Sequence, residues 1–215
     1  MTSLKTLHIK FSGGWLLIIT AILMLAFWTL FAILLPMQEP YIHWVQNKHW
    51  TWINSIGFSG SIFGLFSILV LFNYIGRKTV SSFIGLGLGL TGITFLTGLL
   101  FFEAFVIKGI ALEQASLIRL GEGFYNHTPF KWATTLGGIF LSLGFILLGI
   151  DMLKCNSFKN WKIYILMLAC PLFGLVIVPG NLRILGVLLY GIAFISIGLE
   201  ILRKSSTTFD VRDSS

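Results

Sequence analysis

The chain has 215 residues, of which 56% are hydrophobic and only 11% charged, with 20 Phe, 7 Trp and 23 Gly. An ordinary soluble domain carries about 25% charged residues, and a mean hydropathy of +0.90 over 24.0 kDa leaves too little charge to cover a globule. A soluble enzyme, a nucleic-acid binder and a disordered regulator are excluded, and the composition is that of a polytopic membrane protein.

A helix needs about 20 apolar residues to cross a hydrocarbon core of ~30 Å. Six runs approach or exceed that length: Trp15–Leu35, Trp52–Ile75, Phe83–Phe102, Trp132–Ile150, Ile163–Val178 and Ile184–Leu199. None contains Lys, Arg, Asp, Glu or His. The last two are short and borrow length from Lys162 and Arg183 snorkelling at their ends. Continuous apolar runs exclude a barrel, whose strands alternate. The expectation is an all-α membrane protein, a six-helix transmembrane bundle over residues 1–204, with residues 205–215 a polar, disordered cytoplasmic tail. The first run is too long for a cleaved signal peptide and is read as a retained helix.

Lys and Arg set the orientation. The N-terminus (Lys5, Lys10), the second loop (Arg77, Lys78), the fourth loop (Lys154, Lys159, Lys162) and the tail (Arg203, Lys204, Arg212) fall on one side, against Lys48, Lys108, Arg119, Lys131 and Arg183 on the other. This bias predicts an integral protein of the plasma (inner) membrane with both termini cytoplasmic. Trp15, Trp44, Trp50, Trp52, Trp132 and Trp161 read as interfacial belts. The net charge of +7 is then topology and contact with anionic lipid, not a nucleic-acid footprint.

Two segments align without gaps at an offset of 49: Leu136-Gly137 with Leu185-Gly186, Phe145-Ile146 with Phe194-Ile195, and Gly149 to Lys154 with Gly198 to Arg203. The second run, from Gly60 to Arg77, fits the template loosely. The pattern suggests tandem helical hairpins. Asp151 and Glu200 occupy matching places near helix C-termini, each three residues before a base, and read as interfacial ion pairs.

Charge-free cores argue against a proton pump built on a mid-membrane carboxylate. Thr91, Thr94, Thr97, Ser61, Ser67 and Ser142 remain as uncharged polar groups, most of them expected to bond to their own helices. Gly85-xxx-Gly89 and Gly60-xxx-Gly64 match the spacing that lets helices approach closely, and Gly89 or Thr94 in a cavity would present backbone or hydroxyl to a ligand. Pro171 is a candidate kink. The outer side gathers His43, His49 and His127 with Glu39, Glu103, Glu113 and Glu122. Glu103 ends a charge-free span, where a carboxylate is costly unless it faces a wet cavity or a base such as Lys108, Arg119 or Lys131. No HExxH or other metal-ligand spacing is present, so neither metal nor cofactor is implied. The loop Pro36–Thr51 carries Trp44 and Trp50 as candidates for a ligand mouth. Ile107–Leu120 has an imperfect apolar sector and is expected to form a short outer interfacial helix. Cys155 and Cys170 differ in depth and are not expected to bridge. Asn126-His127-Thr128 is a glycosylation acceptor on the outer side.

Two functions fit. The preferred one is a non-enzymatic module that binds or passes a small neutral or lipidic ligand, or serves as a subunit of a membrane complex. The alternative is a membrane-embedded enzyme using Glu103, His43, His49 and His127. The bilayer is the expected partner, with a membrane-protein partner or a second copy of the chain as further candidates. Convergence of the carboxylate and imidazoles around a pocket would favour the enzyme, and dispersion the module.

Overall fold

The computed structural model describes residues 2–35, 40–118, 128–175 and 179–213. Among these residues every element is helical: α1 (Thr2–Leu34), α2 (Tyr41–Gln46), α3 (Trp50–Asn73), α4 (Val80–Phe105), α5 (Ile107–Glu113), a 3-10 turn (Ala115–Ile118), α6 (Thr128–Lys154), α7 (Asn160–Gly174) and α8 (Gly180–Asp213). Five helices are long and apolar enough to cross a membrane, within α1, α3, α4 with α5, α6 and α8. The fifth apolar run forms α7, of 15 residues, about 22 Å at 1.5 Å per residue. Its last residues, 176–178, lie outside the described residues. Helix α8 continues through the expected tail to Asp213, a stretch with neither Gly nor Pro to stop it.

The long helices form a closed ring in chain order. Helix α1 packs on α3, α3 on α4, α4 on α6, α6 on α7, α7 on α8, and α8 returns to α1. We call the end with the α3–α4 and α6–α7 turns proximal, and the end with α2 and α5 distal. The outer surface is apolar: Ile22 and Ile33, Phe66 and Leu69, Phe83 and Ile84, Leu143, Leu168, Leu188 and Ile192 are exposed. Polar groups lie inside instead, including Thr20, Asn54, Ser61, Ser67, Asp151 and Lys162. Such a surface is at rest in lipid and not in water.

Glycine sets the distance between neighbours. In the α4–α6 crossing, a Cβ on Gly92 would lie 2.6 Å from Leu141 Cα, and one on Gly144 would meet the Gly89 backbone at 2.5 Å. In α1–α8, Gly14 and Gly198 each face the other's carbonyl oxygen. Lipid offers no hydrophobic drive between helices, so close van der Waals contact supplies the association. Hydroxyls add to it, as Thr20 and Ser67 join α1 to α3 at 2.8 Å.

Two acids lock the proximal end. Asp151, 1% exposed, accepts from Thr79 Oγ1 and Ser82 Oγ at 2.7 Å each. Those two residues form the capping box that opens α4. The carboxylate therefore sits at the positive end of α4's dipole, which offsets its unfavourable place on its own helix. Lys154 Nζ lies 3.3 Å away. Glu200 takes Lys162 of α7 at 2.7 Å and Lys204 at 2.9 Å, so its partner on α8 is four residues on. Asp151 thus ties α6 to the start of α4, and Glu200 ties α8 to the first turn of α7. The offset-49 pairs Phe145 and Phe194, Leu148 and Ile197, and Met152 and Ile201 are all buried in one core.

Gly144→Ala drives a methyl into Gly89 backbone, which cannot yield, and should cost about 3 kcal/mol. Gly87 has nothing within 4 Å of a Cβ, so Gly87→Ala should leave stability unchanged or raise it by about 1 kcal/mol. Thermal unfolding of both variants in detergent checks the contrast, and equal effects would contradict the ring packing.

Candidate functional site

Helix α7 ends beside Gly138 of α6, where Gly138 and Gly174 meet backbone to backbone. The other long helices run on toward the distal end. A cavity of about 260 Å³ lies inside the ring, with Phe173 and Gly174 at the end of α7 in its lining. Its deeper wall is Met24, Leu141 and Phe173, with Phe95 and Leu96 of α4. Toward the distal end it meets Phe31 of α1, Trp50 and Asn54 of α3, Glu103 of α4, Thr134 of α6 and Arg183 of α8.

Helix α2 and α5 cap this end. Gln46 Nε2 donates to the Ala111 carbonyl at 3.2 Å, and Lys108 Nζ to the Asn47 carbonyl at 3.2 Å. Ile107, Ala111 and Ile118 bury themselves with Tyr41, Val45 and Trp50. The segment read as an outer helix over 107–120 is thus a two-turn helix and a 3-10 turn packed on α2, and Arg119 and Leu120 lie outside the described residues.

Trp50 holds the site together. It is fully buried, and its Nε1 donates to the Glu103 carbonyl at 2.7 Å. That carbonyl belongs to the last turn of α4, where helices have acceptors without intrahelical donors. The bond therefore caps α4 and fixes Glu103 against α3. The Tyr41 hydroxyl sits 3.4 Å from both Glu103 carboxylate oxygens. The rings of Tyr41 and Trp50 meet edge to face with centroids 5.7 Å apart, and Phe31 lies 6.0 Å from Trp50. Asn54, one turn after Trp50 on the same face, is 1% exposed and donates to the Trp50 carbonyl at 3.0 Å.

Glu103 and Trp50 are brought together on the cavity. Trp44 packs on Tyr41 and Phe31, with centroids at 5.6 and 6.3 Å, behind the lining. His43 is exposed on α2. His49 precedes α3, and its Nδ1 accepts from Trp52 Nε1 at 3.1 Å; neither imidazole lines the cavity. Thr94 is exposed, with its hydroxyl bonded back to Leu90. Gly89 is buried in the α4–α6 crossing. His127, Glu39, Glu122 and the Asn126 acceptor lie outside the described residues. Among the described residues, no three His, Cys, Asp or Glu side chains gather as metal ligands would.

Arg183, Asn54 and Thr134 are polar lining residues that sequence reasoning did not assign to a site. Arg183 reads as a snorkelling base, since the sequence does not show which way the first turn of α8 faces. Asn54 left a usable signal, an amide inside an apolar run and four residues after a tryptophan.

The arrangement can enclose a small molecule against aromatic walls and meet its polar end with one acid and one base. Among the described lining residues there is no imidazole or thiol. Compared with known proteins, the chain matches no family model, no curated sequence and no solved structure.

Trp50→Phe keeps the ring packing and removes the cap on α4. It should cost about 1–2 kcal/mol, against less than 0.5 kcal/mol for Trp52→Phe on the exposed face. Unfolding temperatures of the two variants check this, and equal shifts would contradict the cap.

Proposed function

We propose that this chain is an integral membrane protein of six spans with cytoplasmic termini, and that its distal cavity binds a small amphiphilic molecule from the outer side without transforming it. The observation that carries the reading is the cavity itself: an aromatic-walled hollow within the ring, with charged side chains at one end only. Ligand sites are commonly apolar clefts between helices with a few polar groups to fix orientation. The separation of His43 and His49 from Glu103 favours the binding module over the enzyme.

Helix α7 serves as the remaining span. The chain enters it beside the proximal Lys162–Glu200 pair and leaves it at Gly174, level with Gly138. Its outward side chains Tyr164 and Leu168 are exposed and apolar like those of its neighbours. The bilayer meets its short length by local thinning; Lys162, expected to snorkel, turns inward to the Ser196 carbonyl and Glu200 instead. Arg77, Lys78, Lys154, Lys159, Arg203 and Lys204 are exposed at the proximal end, which supports its cytoplasmic placement.

Two experiments test this reading. In a background lacking Cys155 and Cys170, a membrane-impermeant maleimide applied to intact cells should label Lys48→Cys and not Lys78→Cys; the reverse pattern would invert the topology. Benzyl alcohol, a small neutral amphiphile, should show saturable one-to-one binding by titration calorimetry that falls at least tenfold in Leu99→Trp, where the larger side chain fills the cavity. Equal binding by the wild type and a stably folded Leu99→Trp would remove the site.

A further inference from the structure

We infer that the ligand is a neutral alcohol with a compact apolar body, its hydroxyl donating to Oδ1 of Asn54. This rests on the cavity being a binding site and deepens that reading by naming the group through which the ligand is recognised.

Asn54 is 1% exposed and lines the cavity. Its Nδ2 donates to the Trp50 carbonyl at 3.0 Å, and among the described residues nothing donates to its Oδ1. The amide cannot be turned over to hide that oxygen, because Oδ1 would then face the Trp50 carbonyl, acceptor against acceptor. The serines of the same helix behave more simply. Ser55, Ser59 and Ser61 donate their single protons to the carbonyls of Thr51, Ser55 and Phe58 at 2.8, 2.9 and 2.7 Å. Asn54 makes the same kind of bond through Nδ2 and still carries a carbonyl oxygen. A buried acceptor is unfavourable without a donor, and a hydroxyl in the cavity supplies one.

The other polar side chains of the wall are engaged within the chain. Trp50 Nε1 donates to the Glu103 carbonyl, and the Tyr41 hydroxyl lies against the Glu103 carboxylate. Glu103, Thr134 and Arg183 also interact within the chain. Asn54 follows Trp50 by one turn, and the burial of Trp50 and its bond to α4 fix that turn of α3. Oδ1 is therefore in place before a ligand arrives, which lowers the entropic cost of binding. The body of the ligand meets Met24, Phe27, Leu96, Leu100 and Leu141, an apolar lining. A dry cavity of ~150 Å³ takes up benzene, so about 260 Å³ admits one ring or a short branched chain together with a hydroxyl. A cation would give up its hydration for a single neutral acceptor. A molecule without a donor would leave Oδ1 unsatisfied.

The test uses the full-length protein purified in a maltoside detergent and titrated calorimetrically with benzyl alcohol and benzyl methyl ether. The two probes share a ring and an oxygen and differ in the donor. Benzyl alcohol should bind more tightly, although the ether leaves water more readily. In Asn54→Leu the alcohol should weaken by roughly tenfold, as the loss of one hydrogen bond in an apolar site requires, while the ether binds as before. Ether binding as tight as alcohol binding in the wild type overturns the inference and leaves the cavity reading standing; a water held on Oδ1 would give that result. Equal weakening of both probes in Asn54→Leu marks a structural role for Asn54 and also overturns it. Binding of neither probe by the wild type overturns the inference and the cavity reading together. If Asn54→Leu fails to fold, Asn54→Ala removes the same amide, and a preference for the alcohol that survives in either variant overturns the assignment.

Discussion

The length of α7 is the constraint on which the rest of the molecule depends. A helix of 15 residues spans about 22 Å, so it closes the proximal part of the ring and stops where Gly138 and Gly174 meet. Phe173 and Gly174 at its end line the hollow together with Arg183 of α8.

The proximal end ties neighbouring helices together with charge. Buried carboxylates are costly unless fully answered, and Asp151 and Glu200 are answered from adjacent helices by hydroxyls and lysines. At the distal end Glu103 and Arg183 are among the residues that line the cavity. The two ends thus use the same residue types for opposite purposes: locking below, and a polar rim on an apolar hollow above. The aromatic cluster of Phe31, Tyr41, Trp44 and Trp50 stiffens that rim with the α2–α5 cap over it.

The helices were largely legible in the sequence because charge is so costly in hydrocarbon that its absence marks a span. Close packing at Gly85, Gly89, Gly60 and Gly64 was also legible, since small residues at that spacing have few other uses. The order of helices around the ring was not. In lipid the inward and outward faces are both apolar, so no periodic signal tells which side of α4 meets α6. That is why Thr94, chosen for its hydroxyl, turns out to be exposed, while Asn54 and Arg183 face the cavity. Glu103 and Trp50 could be read because each is a costly residue at a membrane boundary. Their joining by one hydrogen bond could not, because it depends on α3 and α4 meeting at that level. The length of α7 was blurred for a related reason: the apolar run continues past Gly174 to Val178, and hydropathy does not register where the helix ends.

The central claim is that the distal half of the ring encloses an apolar-floored hollow. Crystals of the protein pressurised with xenon test it most directly, because xenon occupies dry apolar cavities and leaves well-packed interiors empty. The account predicts an anomalous peak enclosed by Phe95, Leu96, Leu141 and Phe173. Those four side chains in mutual van der Waals contact, with no xenon between them, would contradict it.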